Sequence, residues 1–212
     1  MTVPYPLRFE DLVASYAGNE IFRDASLALE TGVYALQGSN GSGKTTLLRL
    51  LAGAQPPDSG RIWIDGMALA DAPQAARGRL SYVPDESPVY PFITGREFLR
   101  FVAAAKHARL EPDAMRLVAG LGAAPYLDAR FDAMSLGTQK KFLLSAAWIG
   151  EPRVMLMDEP SNALDAAARE ALIAELRAKG AQTTVFCATH DADFVAGTGA
   201  AIVTIDDICR RN

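Results

Sequence analysis

Residues Gly38–Thr45 read GSNGSGKT and satisfy G-x-x-x-x-G-K-[ST] at every fixed position. The flanking residues decide what the match means. Ahead of it, GVYALQG is a short apolar run with strand character. Behind it, TLLRLLAG carries leucines at helical spacing, with Gly53 placed as a C-terminal cap. A strand, a glycine turn and a helix in that order form a cradle for phosphate. Glycines at 38, 41 and 43 let the backbone N–H groups of Gly38, Ser39, Asn40, Gly41, Ser42 and Gly43 turn inward around an anion. The helix beginning near Lys44, which continues through Thr46, adds the positive end of its dipole. Lys44 supplies a point charge for terminal phosphates, and Thr45 a hydroxyl ligand for Mg²⁺. A Gly/Ser-rich turn that matches by accident is the alternative, and it accounts for neither neighbour.

Mg²⁺ needs an acid, and RVMLMDE supplies one. This apolar strand delivers Asp158 at its C-terminal end, where open α/β sheets bind ligands. Asp158 is expected to hold the metal, and Glu159 to polarise an attacking water as general base. Two acids capping the loop before Pro160 are the structural alternative.

Outward from these two motifs, strands are expected in LRFEDLVASY and ASLALE before the glycine turn. After it come QPPDSGRIWIDG and RLSYVPD, the latter stopped by Pro84. From Ser87 to about Gly150 the pattern turns helical, in GREFLRFVAAAKHARL, DAMRLVAGLG and TQKKFLLSAAWIG. RVMLMDE then reads as a buried strand, ALDAAAREALIAELRAKG as a helix, and TTVFCATH and AAIVTID as closing strands. Short apolar strands alternating with helices predict an α/β fold, mainly a parallel sheet with helices on both faces. Residues 1–86 and 151–212 are read as the core and 87–150 as an inserted helical lobe, with AAIVTIDDICRRN leaving no room for a further domain.

Composition narrows the partners. The chain is 50% hydrophobic and 22% charged, an ordinary globular mixture. A net charge of −4 argues against nucleic acid, whose backbone calls for clustered Lys and Arg. Cys187 and Cys209 lack metal or redox spacing, which points to a reduced, cytosolic chain with Cys187 buried among apolar residues. The N-terminus shows no secretory pattern, and no apolar run approaches the roughly 20 residues that span a bilayer. Work at a membrane would therefore go through docking on a protein that spans it.

A further stretch, MSLGTQKKF (Met134–Phe142), places Ser135 and Gly137 at the head of a helical pattern, an arrangement that suits either an anion or a plain N-cap. With this stretch the chain resembles the nucleotide-binding subunit of the ATP-binding cassette (ABC) family over nearly its whole length. Tyr16 matches the aromatic that stacks on adenine, GSNGSGKTT the phosphate loop, and SLGTQ (Ser135, Leu136, Gly137, Thr138, Gln139) the family signature. VMLMDEP matches the metal strand with its catalytic glutamate, SNALD the loop after it, and CATHD the switch histidine, His190.

The resemblance implies a P-loop ABC fold with an N-terminal antiparallel β part, binding ATP and Mg²⁺. It also implies a head-to-tail dimer in which the signature of one subunit faces the ATP of the other. Asp165 is then expected at the dimer seam, unless it merely complements the dipole of the helix that follows. His190, read as two strands on from Glu159, is expected beside the terminal phosphate and the attacking water, whereas His107 is read as a packing or surface residue.

The chain departs from the family at Asp85, where glutamine is usual. Aspartate still ligates Mg²⁺ but adds negative charge beside phosphate. Leu136 and Thr138 depart from the common signature as well. The role implied is the ATP-hydrolysing, energy-coupling subunit of a transporter, peripheral on the inner face of the cell membrane through separate permease chains. Asp85 and the absence of a C-terminal regulatory domain lean toward an exporter. The groove around Asp85 to Phe98 is expected to receive a permease helix, with Tyr90, Pro91, Phe92 and Ile93 either lining it or packing in the lobe core. A soluble single-cassette ATPase in a non-transport assembly is the alternative. About ninety residues separate Thr45 from Ser135, which leaves no space for the long coiled coil of repair-type members.

Overall fold

The computed structural model describes residues 4–16, 19–86, 89–110 and 112–209, the side chains of Tyr16 and Asn19 excepted. In chain order the elements are β1 (Leu7–Tyr16), β2 (Asn19–Leu29), β3 (Gly32–Gln37), α1 (Lys44–Leu51), β4 (Ser59–Ile64), β5 (Met67–Ala68), α2 (Pro73–Gly78) and β6 (Leu80–Val83). They continue as α3 (Gly95–Ala105), α4 (Pro112–Gly120), α5 (Leu136–Ala146), β7 (Val154–Asp158), α6 (Ala166–Lys179), β8 (Thr184–Ala188), α7 (Ala192–Thr198), β9 (Ala201–Thr204) and α8 (Ile205–Ile208).

Two sheets form. One runs β2-β1-β4-β5 with antiparallel pairs, and its β4–β5 hairpin turns on Asp65 and Gly66. Both residues have positive φ, 49° and 77°, the twist that suits a two-residue Asp-Gly hairpin. The other runs β6-β7-β8-β3-β9, parallel throughout. β7 and β8 are buried along their whole length, as their unbroken apolar sequences foretell for a sheet covered on both faces.

Alternation along those strands divides the interior. Val154, Leu156, Phe186 and Ala188 face α1 and the antiparallel sheet, whereas Met155, Met157, Val185 and Cys187 face the lobe helices and α6. On α1, Leu47, Leu48, Leu50 and Leu51 are fully buried, each contributing on the order of 2 kcal/mol. Phe98, Phe131 and Phe142 pack together in the lobe, with edge-on and tilted rings. Cys187 lies in this interior as expected, and burial pushes its thiol up to about 12. A lysine joins lobe to sheet: Lys106 at the end of α3 donates to Ser81 Oγ on β6 at 2.6 Å and to the Ile149 carbonyl at 2.9 Å.

Several expectations change. β2 begins at Asn19, six residues before the stretch read as a strand, because its N-terminal half, with Phe22 buried among polar neighbours, pairs with β1 through bulges that break the apolar alternation. β5, α2, α7 and α8 are too short for periodicity to announce them. His190 is one strand on from Glu159, just after β8, the strand hydrogen-bonded to β7. His107 is exposed. Tyr90 and Phe92 stack with centroids 5.6 Å apart and stand 69% and 61% exposed, with Pro91 exposed between them; Ile93 packs into the lobe core. Ser87 and Pro88, in the same expected groove, lie outside the described residues.

Candidate nucleotide site

Parallel pairing brings the ends of β6, β7, β8 and β3 to one edge of the sheet: Val83 pairs with Met157, Asp158 with Ala188, and Ala188 with Leu36. Each strand releases a loop there. Asp85 follows β6, Asp158 and Glu159 end β7, His190 follows β8, and the phosphate loop follows β3. This is the C-terminal edge where open α/β sheets bind ligands. Asn40, Gly41, Gly43, Lys44, Thr45, Thr46, Asp85, Asp158 and Glu159 line one cavity of about 400 Å³.

Within the phosphate loop, Gly43 has φ 94°, and an added Cβ would lie 2.5 Å from Ile21 and 2.8 Å from Phe22. Only glycine meets both demands at that position. Lys44 Nζ donates to the carbonyls of Gly38 at 2.8 Å and Ser39 at 3.1 Å, which holds the ammonium over the loop.

Asp158 is 4% exposed. Burial pushes its carboxyl up from the usual value; the Thr45 hydroxyl beside it opposes this, and the negative charges of Asp85 and Glu159 add to it. Glu159 takes φ 44° and donates its N–H to the Ala188 carbonyl at 2.9 Å. Its Oε1 lies 2.9 Å from His190 Nδ1, while Oε2 is buried without a hydrogen-bond partner in the protein. That hydrogen bond raises the His190 pKa above the usual imidazole value. The geometry thus leaves one carboxylate oxygen of Glu159 held and the other ready to accept a proton.

Among the described residues no cluster of three or more His, Cys, Asp or Glu makes a metal site by itself. A hydroxyl and a buried carboxylate, Thr45 and Asp158, on one cavity wall fit a hard cation that fills its remaining positions with phosphate and water oxygens.

The signature residues lie elsewhere. Ser135, Gly137, Thr138 and Asp165 line a separate cavity of about 500 Å³. Ser135 N-caps α5, accepting the Thr138 N–H at 3.2 Å. Leu136 is 74% exposed. Gln139 is turned inward, donating to the carbonyls of Phe131 at 2.8 Å and Met134 at 3.3 Å. Asp165 N-caps α6 through the Ala168 N–H and pairs with Lys141 at 2.6 Å, which holds its carboxyl below the usual range. Tyr16 ends β1, its side chain lying outside the described residues.

Sequence reasoning missed three residues around these cavities. Asn162 Nδ2 donates to Asp85 Oδ1 at 3.3 Å, and Arg169 donates to Asp191, next to His190, at 2.7 Å. Lys140 is buried beneath Asp85, yet nothing in QKKF distinguishes it from the next lysine.

A family model described as ABC transporter matches residues 22–162. A relative from Rhodococcus jostii named "Fe(3+) ions import ATP-binding protein FbpC 1" is 36% identical over 194 residues, 88% of this chain and 56% of its own length. "Molybdenum import ATP-binding protein ModC" of Rhizobium meliloti is 33% identical over 194 residues, 87% of this chain and 54% of its own. The chain thus spans about half the length of these curated relatives. A solved structure titled "Structure of ATP binding subunit of ABC transporter" superposes with a TM-score of 0.84 at 27% identity, covering 93% of this chain and 85% of that one. The lean toward export finds no support in these relatives, both named for import. No helix among the described residues is long and apolar enough to cross a membrane.

Proposed function

This chain belongs to the ABC transporter family as an ATP-binding ATPase cassette, and on that premise we propose that it energises transport by hydrolysing ATP in a head-to-tail dimer docked on separate permease chains. The observation that carries the reading is the division of labour between the two cavities. Lys44, Thr45, Asp158 and Glu159 share one, while Ser135 and Gly137 face another, so a signature would serve nucleotide held by a second copy.

Within this reading, the Gly38–Gly43 amides cradle the phosphates and Lys44 meets their terminal charge. Thr45 and Asp158 would hold Mg²⁺, with Asp85 a further oxygen donor on the same wall. The ion when bound spreads the negative charge of the phosphates. Glu159 accepts the water proton through its unpartnered Oε2, and His190 fixes the carboxylate through Oε1. The division into a lobe over 87–150 and a core over 1–86 and 151–212 is part of this reading. The exposed Tyr90–Phe92 stack lies in the segment that meets the permease. The relatives' names favour import over export, with the cargo set by the permease.

The test is tagged Glu159→Gln protein incubated with ATP. It should bind ATP, turn over at least about 100-fold more slowly and accumulate as an ATP-bound dimer on size exclusion. A gentle detergent pull-down from native cells should then bring a stoichiometric polytopic membrane protein. Unchanged turnover would remove Glu159 as the base. Capture of soluble partners alone, from well-extracted membranes, would replace transport with a non-transport assembly.

A further inference from the structure

Lys140 lies in the second turn of α5, the helix headed by Ser135, and is 4% exposed. Its Nζ donates to the carbonyls of Pro84 at 2.9 Å, Asp85 at 3.3 Å and Asp158 at 3.0 Å. Nζ also stands 3.7 Å from Asp85 Oδ1. An ammonium has three N–H donors, and here three carbonyls receive them. A buried charge is retained only where it is paired and hydrogen-bonded, and this one meets both conditions.

Two of the carbonyls, of Pro84 and Asp85, lie just past the end of β6 and the third, of Asp158, ends β7, its parallel neighbour. One cation therefore ties the loop carrying Asp85, the strand end carrying Asp158 and the signature helix. Asn162 Nδ2 donates to the same Asp85 Oδ1 at 3.3 Å, and its own backbone N–H donates to the Glu159 carbonyl at 3.2 Å. Asp85, Asp158 and Glu159 line the same cavity, so without a cation behind them their like charges repel one another and any bound phosphate.

We infer that Lys140 is a positioning residue for ATP hydrolysis, and that Lys140 and Asp85 work as a matched pair. The lysine neutralises the acid that stands where the family has glutamine, and it fixes the loop of that acid against the metal-bearing end of β7. The inference rests on the ATPase reading of the site. The substitution at Asp85 is thus balanced locally, by a side chain of the same subunit.

The experiment compares wild type, Lys140→Met, Asp85→Asn and the double variant by two readouts. One is the affinity for mant-ATP in EDTA, where neither metal nor turnover contributes. The other is kcat with Mg²⁺. Lys140→Met should weaken mant-ATP binding at least about threefold and lower kcat at least about tenfold. Adding Asp85→Asn should bring both back to within about threefold of Asp85→Asn alone, because the unbalanced acid is gone.

A lysine that only braces the fold would show no such rescue, and loss without rescue overturns the inference. So does Lys140→Met with wild-type behaviour. If Lys140→Met does not fold but the double variant does, the matched pair stands; if neither folds, Lys140 is a fold residue and the inference fails. Wild-type protein that binds no mant-ATP would instead sink the ATPase reading itself.

Discussion

Lys106 offers a quantitative test of how the lobe is joined to the sheet. It is half-buried at the end of α3, with its ammonium on Ser81 Oγ and the Ile149 carbonyl. Burial lowers its pKa from 10.5 to about 8. Between those values the unfolded chain holds a proton that the folded chain has released, so stability rises with pH across the window. Below about 8 both states are protonated and the full cost of burying the charge is present; above about 10.5 neither is, and the cost is gone. A shift of this size corresponds to at most about 3.5 kcal/mol, of which about 2 kcal/mol falls between about pH 7.5 and 10. For a chain of this size that is about 4–8 °C in Tm.

Lys106→Met removes the titration while keeping the stem that packs at the joint. Other lysines and tyrosines titrate equally in both proteins, so the quantity to follow is the difference in Tm, wild type minus variant, measured by calorimetry at steps from about pH 7.5 to 10. It should climb by several degrees toward alkaline pH. Two Tm curves that stay parallel within about 1 °C would refute the reasoning, since the lysine would then titrate as if it were in water.

Two further predictions concern the signature. A Cβ on Gly137 would overlap the carbonyl oxygen of Ala163, itself held at φ 61°, so Gly137→Ala must push the SNALD loop away from α5. The expected cost is about 1–3 kcal/mol in stability and at least about tenfold in phosphate release, with mant-ATP binding to the monomer retained; full activity would show that the two segments move freely past each other. Ser135→Arg removes the α5 N-cap, at about 1 kcal/mol, and places a bulky cation at the mouth of the second cavity. It should abolish hydrolysis while leaving ATP binding at the phosphate loop intact, and joint loss of both in a folded protein would end the role assigned to the signature in trans.

Legibility followed the range of the interactions. GSNGSGKT could be read because its meaning is local: positive φ at Gly41 and Gly43 and a helix starting at Lys44 are properties of a few consecutive residues. RVMLMDE and TTVFCATH could be read because strands covered on both faces are apolar at every position. Residues whose role depends on what lies across the fold were silent. Lys140 and Lys141 are adjacent on α5, yet one is buried against two strand ends and the other pairs with Asp165. Charge and spacing are the same for both, and only the packing of α5 separates them.

The sequence by itself determined the phosphate loop, the acids at the end of β7 and the alternation that makes a parallel sheet, because each depends on contacts within a few residues. The tertiary structure decided the rest. The order of β6, β7 and β8 set Glu159 against His190, and α5 lodged Lys140 under Asp85. The fold also placed Ser135 in a cavity separate from that of Lys44. Strand order and helix docking are settled by burying apolar surface between segments far apart in the chain, and a single sequence read along its length does not specify which distant segments will meet.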